Sequence, residues 1–170
     1  MKKIFIAVCM FMVTGFSIAQ DYINAGGIPL GLTREEFSRK YKENIREKSF
    51  HQGTYRYYLK ERSYPWAKVH VFIEMKKLTT FNKYVITSVK LKLTNVNKHL
   101  VQELHKGIID ILSKKYGESK VSGNLKPIYT WENEDVLVIK ESERITYISK
   151  EKYLINLQKA ILKDSLIGVF

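Results

Sequence analysis

The chain is poor in cysteine, proline and acidic residues. Its 170 residues include one cysteine, Cys9, and three prolines, and 17 acidic side chains stand against 29 lysines and arginines. Cys9 falls in an N-terminal segment that we expect to be removed. The mature chain then has no disulfide, no thiol nucleophile and no thiolate metal ligand. No proline-rich linker divides the remaining residues 20–170, which are predicted to form a single domain.

The N-terminal segment has the layout of a secretory signal peptide. Two lysines precede an apolar run from Ile4 to Phe16, and Ser17 and Ala19 are small residues before a cleavage site. A membrane-spanning helix would need about 20 apolar residues. We therefore expect residues 1–19 to be a signal peptide cleaved after Ala19, and the protein to be exported to the periplasm or outside the cell. Cys9 lacks the preceding small residue of a lipidation site, so no lipid anchor is expected.

The formal charge of +12 raises the question of a polyanionic partner. The lysines are spread evenly over several predicted elements, and no zinc finger, RNP-like motif or arginine-rich arm occurs. We therefore expect no nucleic-acid partner. Solvated lysine faces are one interpretation of the charge. Anionic lipid headgroups or glycans of the cell envelope are the other.

The stretch GGIPLGLTREEFSRKY, residues 26–41, resembles a glycine loop that binds phosphate. It lacks the lysine of a P-loop and the three spaced glycines of a dinucleotide fingerprint. Thr33 and Glu36 instead form a predicted capping box, and Phe37, Tyr41 and Ile45 follow at a helical spacing of four. The sequence therefore predicts a joint between a strand and a helix, with Ile28 and Leu30 packed beneath it.

The rest of the chain alternates between helical and strand patterns. Period-two alternation with one polar face predicts an antiparallel sheet covered on one side. Strands are predicted at 54–60, 67–75, 85–93, 127–132, 135–140 and 144–149, and further helices at 97–115 and 151–163. The predicted fold class is α+β: two tandem units of one helix plus three strands, an antiparallel sheet with helices on one face, and a C-terminal helix. The pseudo-repeats are residues 26–95 and 97–150.

Several short motifs are similar to those of a group of secreted Bacteroidetes proteins of unknown function. Gly27-Ile28-Pro29 and Glu36-Phe37 match the opening of that group, and LSKKYGES and YTWENEDVLVIK resemble segments of its second half. The tandem layout is similar to that of β-lactamase inhibitor proteins and of small envelope-assembly lipoproteins. This resemblance implies a non-catalytic module that binds a protein.

The sequence offers little for catalysis or metal binding. His99, Glu103 and His105 are the one histidine cluster, but on a helix His105 points away from the other two. No Gly-x-Ser-x-Gly or His-Glu-x-x-His motif occurs. We expect no catalytic residues, no metal and no cofactor, and hence no enzyme. A hydrolase with a nonstandard site is kept as an alternative.

Aromatic and basic residues are concentrated between residues 55 and 66. Tyrosine, tryptophan and arginine are the residues that dominate binding hot spots. We predict a surface patch of Tyr58, Arg62, Tyr64 and Trp66; the alternative is that Trp66 covers the sheet edge. The functional hypothesis is a module that recognises another envelope protein, as an inhibitor or assembly factor. Lysine-driven binding of anionic lipid or glycan surfaces is the alternative.

Overall fold

The computed structural model describes residues 22–167, with side chains through residue 162. The predicted signal peptide lies outside these residues. Between residues 22 and 167, no helix combines the length and apolar character needed to cross a membrane.

The described chain contains three α-helices and eleven strands. The helices are α1 (Arg34–Tyr41), α2 (Val101–Tyr116) and α3 (Glu151–Ile167). The strands are β1 (Asn24–Ala25), β2 (Ile28–Pro29), β3 (Ile45–His51), β4 (Thr54–Leu59), β5 (Arg62–Tyr64), β6 (Ala67–Leu78), β7 (Lys83–Thr94), β8 (Lys120–Ser122), β9 (Ile128–Glu132), β10 (Val136–Glu141) and β11 (Arg144–Ser149). The predicted α+β class is confirmed.

Nine of the strands form one antiparallel sheet. Its order is β3-β4-β6-β7-β11-β10-β9-β8, and β5 pairs with the part of β6 that β4 leaves free. The strands before α2 therefore form one half of the sheet and those after α2 form the other. The halves meet where β7 pairs with β11, with Lys92 opposite Arg144 and Val89 opposite Tyr147.

The short strands β1 and β5 and the edge strands β3 and β8 were not predicted, and one helical prediction was wrong. Ile45, assigned to the first helix from its spacing, is the first residue of β3, because α1 ends at Tyr41. All but the first residue of β3 and all of β8 are exposed. An edge strand with both faces in solvent carries no alternation of apolar and polar residues, so the period-two pattern is absent from both segments.

One face of the sheet holds the core of the protein. Alternate residues of β6 and β7, including Val71, Ile73, Val89 and Leu91, are fully buried on this covered face. Lys140 of β10 also lies there, at 1% exposure, and its Nζ donates to the Ser142 carbonyl at 2.7 Å. Burial lowers the pKa of Lys140 from 10.5 to about 8.

Helices α1 and α2 contact strands on the covered face, and α3 contacts the segment that precedes α1. Phe37 of α1 meets Tyr57 of β4 edge to face, with ring centroids 5.0 Å apart. Ser113 of α2 accepts a hydrogen bond from the Trp131 indole of β9 at 3.2 Å. Gln158 of α3 donates to the Gly31 carbonyl at 3.1 Å. The opposite face of the sheet has no helix upon it within residues 22–167.

The stretch before α1 is the strand-to-helix joint that was predicted. Thr33 and Glu36 form the capping box: the Thr33 amide donates to Glu36 Oε2 at 2.9 Å, and Thr33 Oγ1 accepts from the Glu36 amide at 3.3 Å. Gly31 has φ +84°, and a Cβ there would lie 2.4 Å from Leu157 Cδ2. The glycine therefore serves a left-handed turn under close packing, and Ile28 and Leu30 are fully buried as expected.

Candidate functional site on the open face of the sheet

The uncovered face of the nine-stranded sheet, called here the open face, is the candidate site. Residues directly opposite each other in antiparallel strands point to the same side. The pairing therefore defines rows that cross the sheet from β3 to β8. The central row is Glu47, Tyr58, Phe72, Lys90, Thr146, Ile139, Thr130 and Lys120.

An aromatic ridge occupies the first half of the open face and consists of Tyr58 and Phe72. Their rings stack with centroids 4.8 Å apart and planes 20° apart, and Phe72 is 37% exposed. The Arg46 guanidinium lies 5.6 Å from the centroid of Tyr58. The ridge is therefore ordered before any partner arrives, which lowers the entropy lost on binding.

His70 fixes the hydroxyl end of the ridge. Its Nδ1 lies 2.5 Å from the Tyr58 hydroxyl, and its Nε2 lies 2.8 Å from Thr94 Oγ1 and 3.4 Å from Glu61 Oε2. A carboxylate only accepts hydrogen bonds, so Nε2 is the nitrogen that carries the proton in the neutral form of His70. In that form the Tyr58 hydroxyl donates to Nδ1. Lys68, 2.9 Å from Glu61, lowers the pKa of that carboxyl. The network positions Tyr58 by hydrogen bonds at both nitrogens of the histidine.

A cationic centre lies where the two halves of the sheet meet and consists of Lys90, Lys92 and Arg144. Lys92 is directly opposite Arg144, and Lys90 lies two residues away on the same side of β7. Arg144 approaches Glu141 at 3.6 Å, whereas Lys90 and Lys92 have no ion-pair partner among the described side chains. The centre therefore has unbalanced positive charge. Like charges in directly opposed positions also destabilise a sheet, so the repulsion between Lys92 and Arg144 is unfavourable.

An aliphatic patch occupies the second half of the open face and consists of Leu137, Ile139 and Ile148. Leu137 is directly opposite Ile148, and Ile139 is opposite Thr146. Ile148 is 36% exposed, and the other two are partly buried. Three adjacent aliphatic side chains on the solvent side of a sheet are the kind of surface that a partner covers.

The ridge and the centre border a shallow depression of about 720 Å³. Its lining includes Phe72, Lys90, Lys92 and Arg144, together with the Arg56–Glu74 ion pair at 3.1 Å. This lining provides apolar contact area and positive charge for a ligand. Across residues 22–162, no three histidine or acidic side chains converge to hold a metal ion.

The structure does not bring the four predicted patch residues together. Arg62 is opposite Val69 and Tyr64 is opposite Ala67, so both point to the covered face, whereas Tyr58 is opposite Phe72 on the open face. Trp66 is 5% exposed and stacks on Tyr64, so the prediction of a surface position for Trp66 was wrong. Of the four, Tyr58 alone belongs to the open face.

Most of the residues of the candidate site were missed. The period-two pattern of residues 85–93 puts Lys90 and Lys92 on the outward side of their strand, but the predicted patch combined residues near in sequence rather than residues on neighbouring strands. Phe72 alternates with buried Val71 and Ile73, so its outward position followed from the period-two pattern. The signal available in the sequence was a phenylalanine at an outward position of the strand, between two apolar residues at inward positions.

Comparison with known proteins adds no relative. No protein-family model matches the chain, and no curated protein or solved structure is significantly similar to it. The similarity to secreted Bacteroidetes proteins and to inhibitor-like folds stays a prediction. The functional interpretation therefore depends on the geometry of the open face.

Proposed function

We propose that the protein is an exported, non-catalytic binding module whose open face recognises another protein of the cell envelope. The observation that carries this proposal is a broad antiparallel sheet with helices on one face and exposed aromatic, cationic and aliphatic side chains on the other. Ordered aromatic residues near cations are the usual anchors of protein–protein contacts. An inhibitor or an assembly factor would need such a preformed surface and no catalytic group.

We also propose that the module consists of two tandem units, residues 26–95 and 97–150, that share the sheet. The strand order β3-β4-β6-β7 followed by β11-β10-β9-β8 supports it, because the second half repeats the first in reverse. Each half follows a helix, α1 or α2, and α3 follows the second half. Two units joined at β7 and β11 would build a surface wider than either unit alone.

The experiment that tests the binding function is a capture from envelope extract by immobilised protein at low and high salt. The variant is Tyr58→Ala/Phe72→Ala, which removes the aromatic ridge. The matched control is Phe50→Ala, because Phe50 is also an exposed phenylalanine, at 54%, on the edge strand β3. Phe50 is directly opposite Tyr55, and Tyr55 is opposite the buried Met75, so Phe50 lies on the covered side of the sheet. Loss of the Phe50 ring therefore leaves the open face intact.

We expect one protein to be retained at high salt by the parent and by Phe50→Ala, and to be lost by Tyr58→Ala/Phe72→Ala. Urea unfolding of all three proteins establishes that each is folded. Equal capture by the parent and the ridge variant would overturn the assignment of binding to the open face.

A second candidate function is binding to an anionic lipid or glycan surface. Lys90 and Lys92 favour it, because neither has an ion-pair partner in the described part of the chain. Such binding is electrostatic and should disappear as salt rises, whereas a contact centred on the aromatic ridge should persist. Vesicles containing phosphatidylglycerol, compared with phosphatidylcholine vesicles over a salt series, distinguish the two functions.

A further inference from the structure

From the arrangement of the open face we infer that its partner is a protein segment in which acidic side chains lie between apolar ones. This inference rests on the proposed binding function and specifies the chemistry of the partner. The three zones of the face follow one another across the strands in a fixed order. The aromatic ridge lies on β4 and β6, the cationic centre on β7 and β11, and the aliphatic patch on β11 and β10.

The register determines how far apart the apolar zones lie. In the central row, Phe72 is followed by Lys90, Thr146 and Ile139 on successive strands. Neighbouring strands are about 4.8 Å apart, so Phe72 and Ile139 are separated by about 14 Å. A partner bridges that distance with about four extended residues or about nine helical ones. Its acidic side chains then stand above β7 and β11.

The charge of the centre calls for an anion from outside the chain. Lys92 and Arg144 are directly opposed, Lys90 is on the same face, and Glu141 pairs with Arg144 alone. A carboxylate placed among the three cations removes their mutual repulsion. It also accepts charge-assisted hydrogen bonds, which are stronger than neutral ones.

A second copy of the chain fits this surface poorly. Two open faces packed about a two-fold axis would bring their cationic centres towards each other, and each chain has a formal charge of +12. A heterologous acidic partner has neither problem. Charge complementarity of this kind raises the association rate and disfavours wrong partners.

A membrane surface also fits less well than a protein segment. In a bilayer the apolar chains lie beneath the charged headgroups, so a peripheral protein needs apolar side chains that project beyond its cations. Here Leu137 and Ile139 are only partly exposed and lie on the same sheet surface as Lys90. Apolar and charged zones side by side match a protein segment with side chains of both kinds at one level.

The test uses a phage-displayed library of random 16-residue peptides as its probe. The library is selected on the purified protein, and the enrichment of each peptide is compared with its enrichment on the variant Lys90→Gln/Lys92→Gln. The matched control is Lys152→Gln/Lys159→Gln, which removes the same charge from exposed positions of α3. Synthetic versions of the enriched peptides are then titrated against each protein, and against Phe72→Ala and Leu137→Ser.

We expect enriched peptides to carry aspartate or glutamate between two apolar residues. Their affinity should fall about tenfold in Lys90→Gln/Lys92→Gln, which is about 1.4 kcal/mol, and stay unchanged in the control. Phe72→Ala and Leu137→Ser should each weaken binding, because they remove opposite flanks. Unfolding curves show whether each variant is folded.

The outcomes separate this inference from the proposed function. Peptides without acidic residues whose binding depends on Phe72 overturn the acidic segment and leave the binding module in place. Acidic peptides with apolar residues on one side only overturn the two-flank arrangement. An absence of enriched peptides, or peptides that are insensitive to every open-face variant, overturns the inference altogether. The proposed function is then judged by the capture experiment alone.

Discussion

The two faces of the same strands differ in what their residues do. In β6, Val71 and Ile73 are fully buried on the covered face, while Phe72 between them projects from the open face. In β7, Leu91 is buried between Lys90 and Lys92. Neighbouring residues in the chain thus belong to a packed interior and to a solvated surface.

This difference separates stability from recognition. A covered-face side chain contacts the helices, and its loss leaves a cavity. An open-face side chain contributes little to folding, so its chemistry is available for binding. Each face nevertheless contains a residue of the type expected on the other: Lys140 is buried on the covered face, and Ile148 is exposed on the open face. Substitutions at Lys140 and Ile148 therefore test the difference between the two faces most directly.

The largest effect is expected for Leu91→Ala on the covered face. Leu91 is fully buried, so truncation should lower the free energy of unfolding by about 2–5 kcal/mol. The neighbouring change Lys90→Ala removes an open-face side chain and should alter it by less than about 0.5 kcal/mol. Urea denaturation measures both. Similar losses for the two variants would show that an open-face side chain contributes as much to the free energy of unfolding as a covered-face side chain does.

A smaller effect, of opposite sign, is expected for Lys140→Met. The folded pKa of Lys140 is about 8 and its ordinary value is 10.5, with burial as the main cause. Between these pH values the unfolded chain binds a proton at Lys140 that the folded chain lacks, so the contribution of Lys140 to the free energy of unfolding rises with pH across this window. Below pH 8 the penalty is complete. Methionine removes it and should stabilise the protein at pH 7 by about 1–3 kcal/mol.

The control for this prediction is Lys92→Met, which makes the same substitution at an exposed lysine on the open face. Denaturation from pH 7 to about pH 9, below the pH at which tyrosines ionise in the unfolded chain, should show a rise in stability for the parent and for Lys92→Met, and a weaker rise for Lys140→Met. His105 provides a second measurement, since burial and the Lys140 charge both lower its pKa. Its NMR titration should move to higher pH in Lys140→Met. An unchanged His105 titration would argue against a charged Lys140 near that ring.

An effect on folding smaller than those of Leu91→Ala and Lys140→Met is expected for Leu137→Ser/Ile148→Ser in the aliphatic patch. These residues face each other on the open face, where little packs upon them. The free energy of unfolding should change by less than about 1 kcal/mol, while aggregation at high protein concentration should decrease because an apolar patch is lost. Light scattering and urea denaturation measure the two. A loss comparable to that of Leu91→Ala would mean that the patch is part of the core.

The sequence predicted the local structure well and the candidate site poorly. The capping box of Thr33 and Glu36 and the alternation in β6 and β7 depend on residues close together in the chain, and both are present. The strands β3 and β8 were missed, because exposed edges carry no alternation. The predicted patch combined Tyr58 with Arg62 and Tyr64, which are near in sequence but on opposite faces.

The side of its own strand on which each residue lies could be predicted from the sequence alone. That property follows from the geometry of a single extended strand, in which successive side chains alternate. The identity of the neighbouring strands, by contrast, is a property of the folded chain, and it places Lys92 opposite Arg144 and Leu137 opposite Ile148. The ridge, the cationic centre and the aliphatic patch are products of that pairing. Pairing depends on contacts between residues far apart in the chain, and no pattern within one strand encodes them.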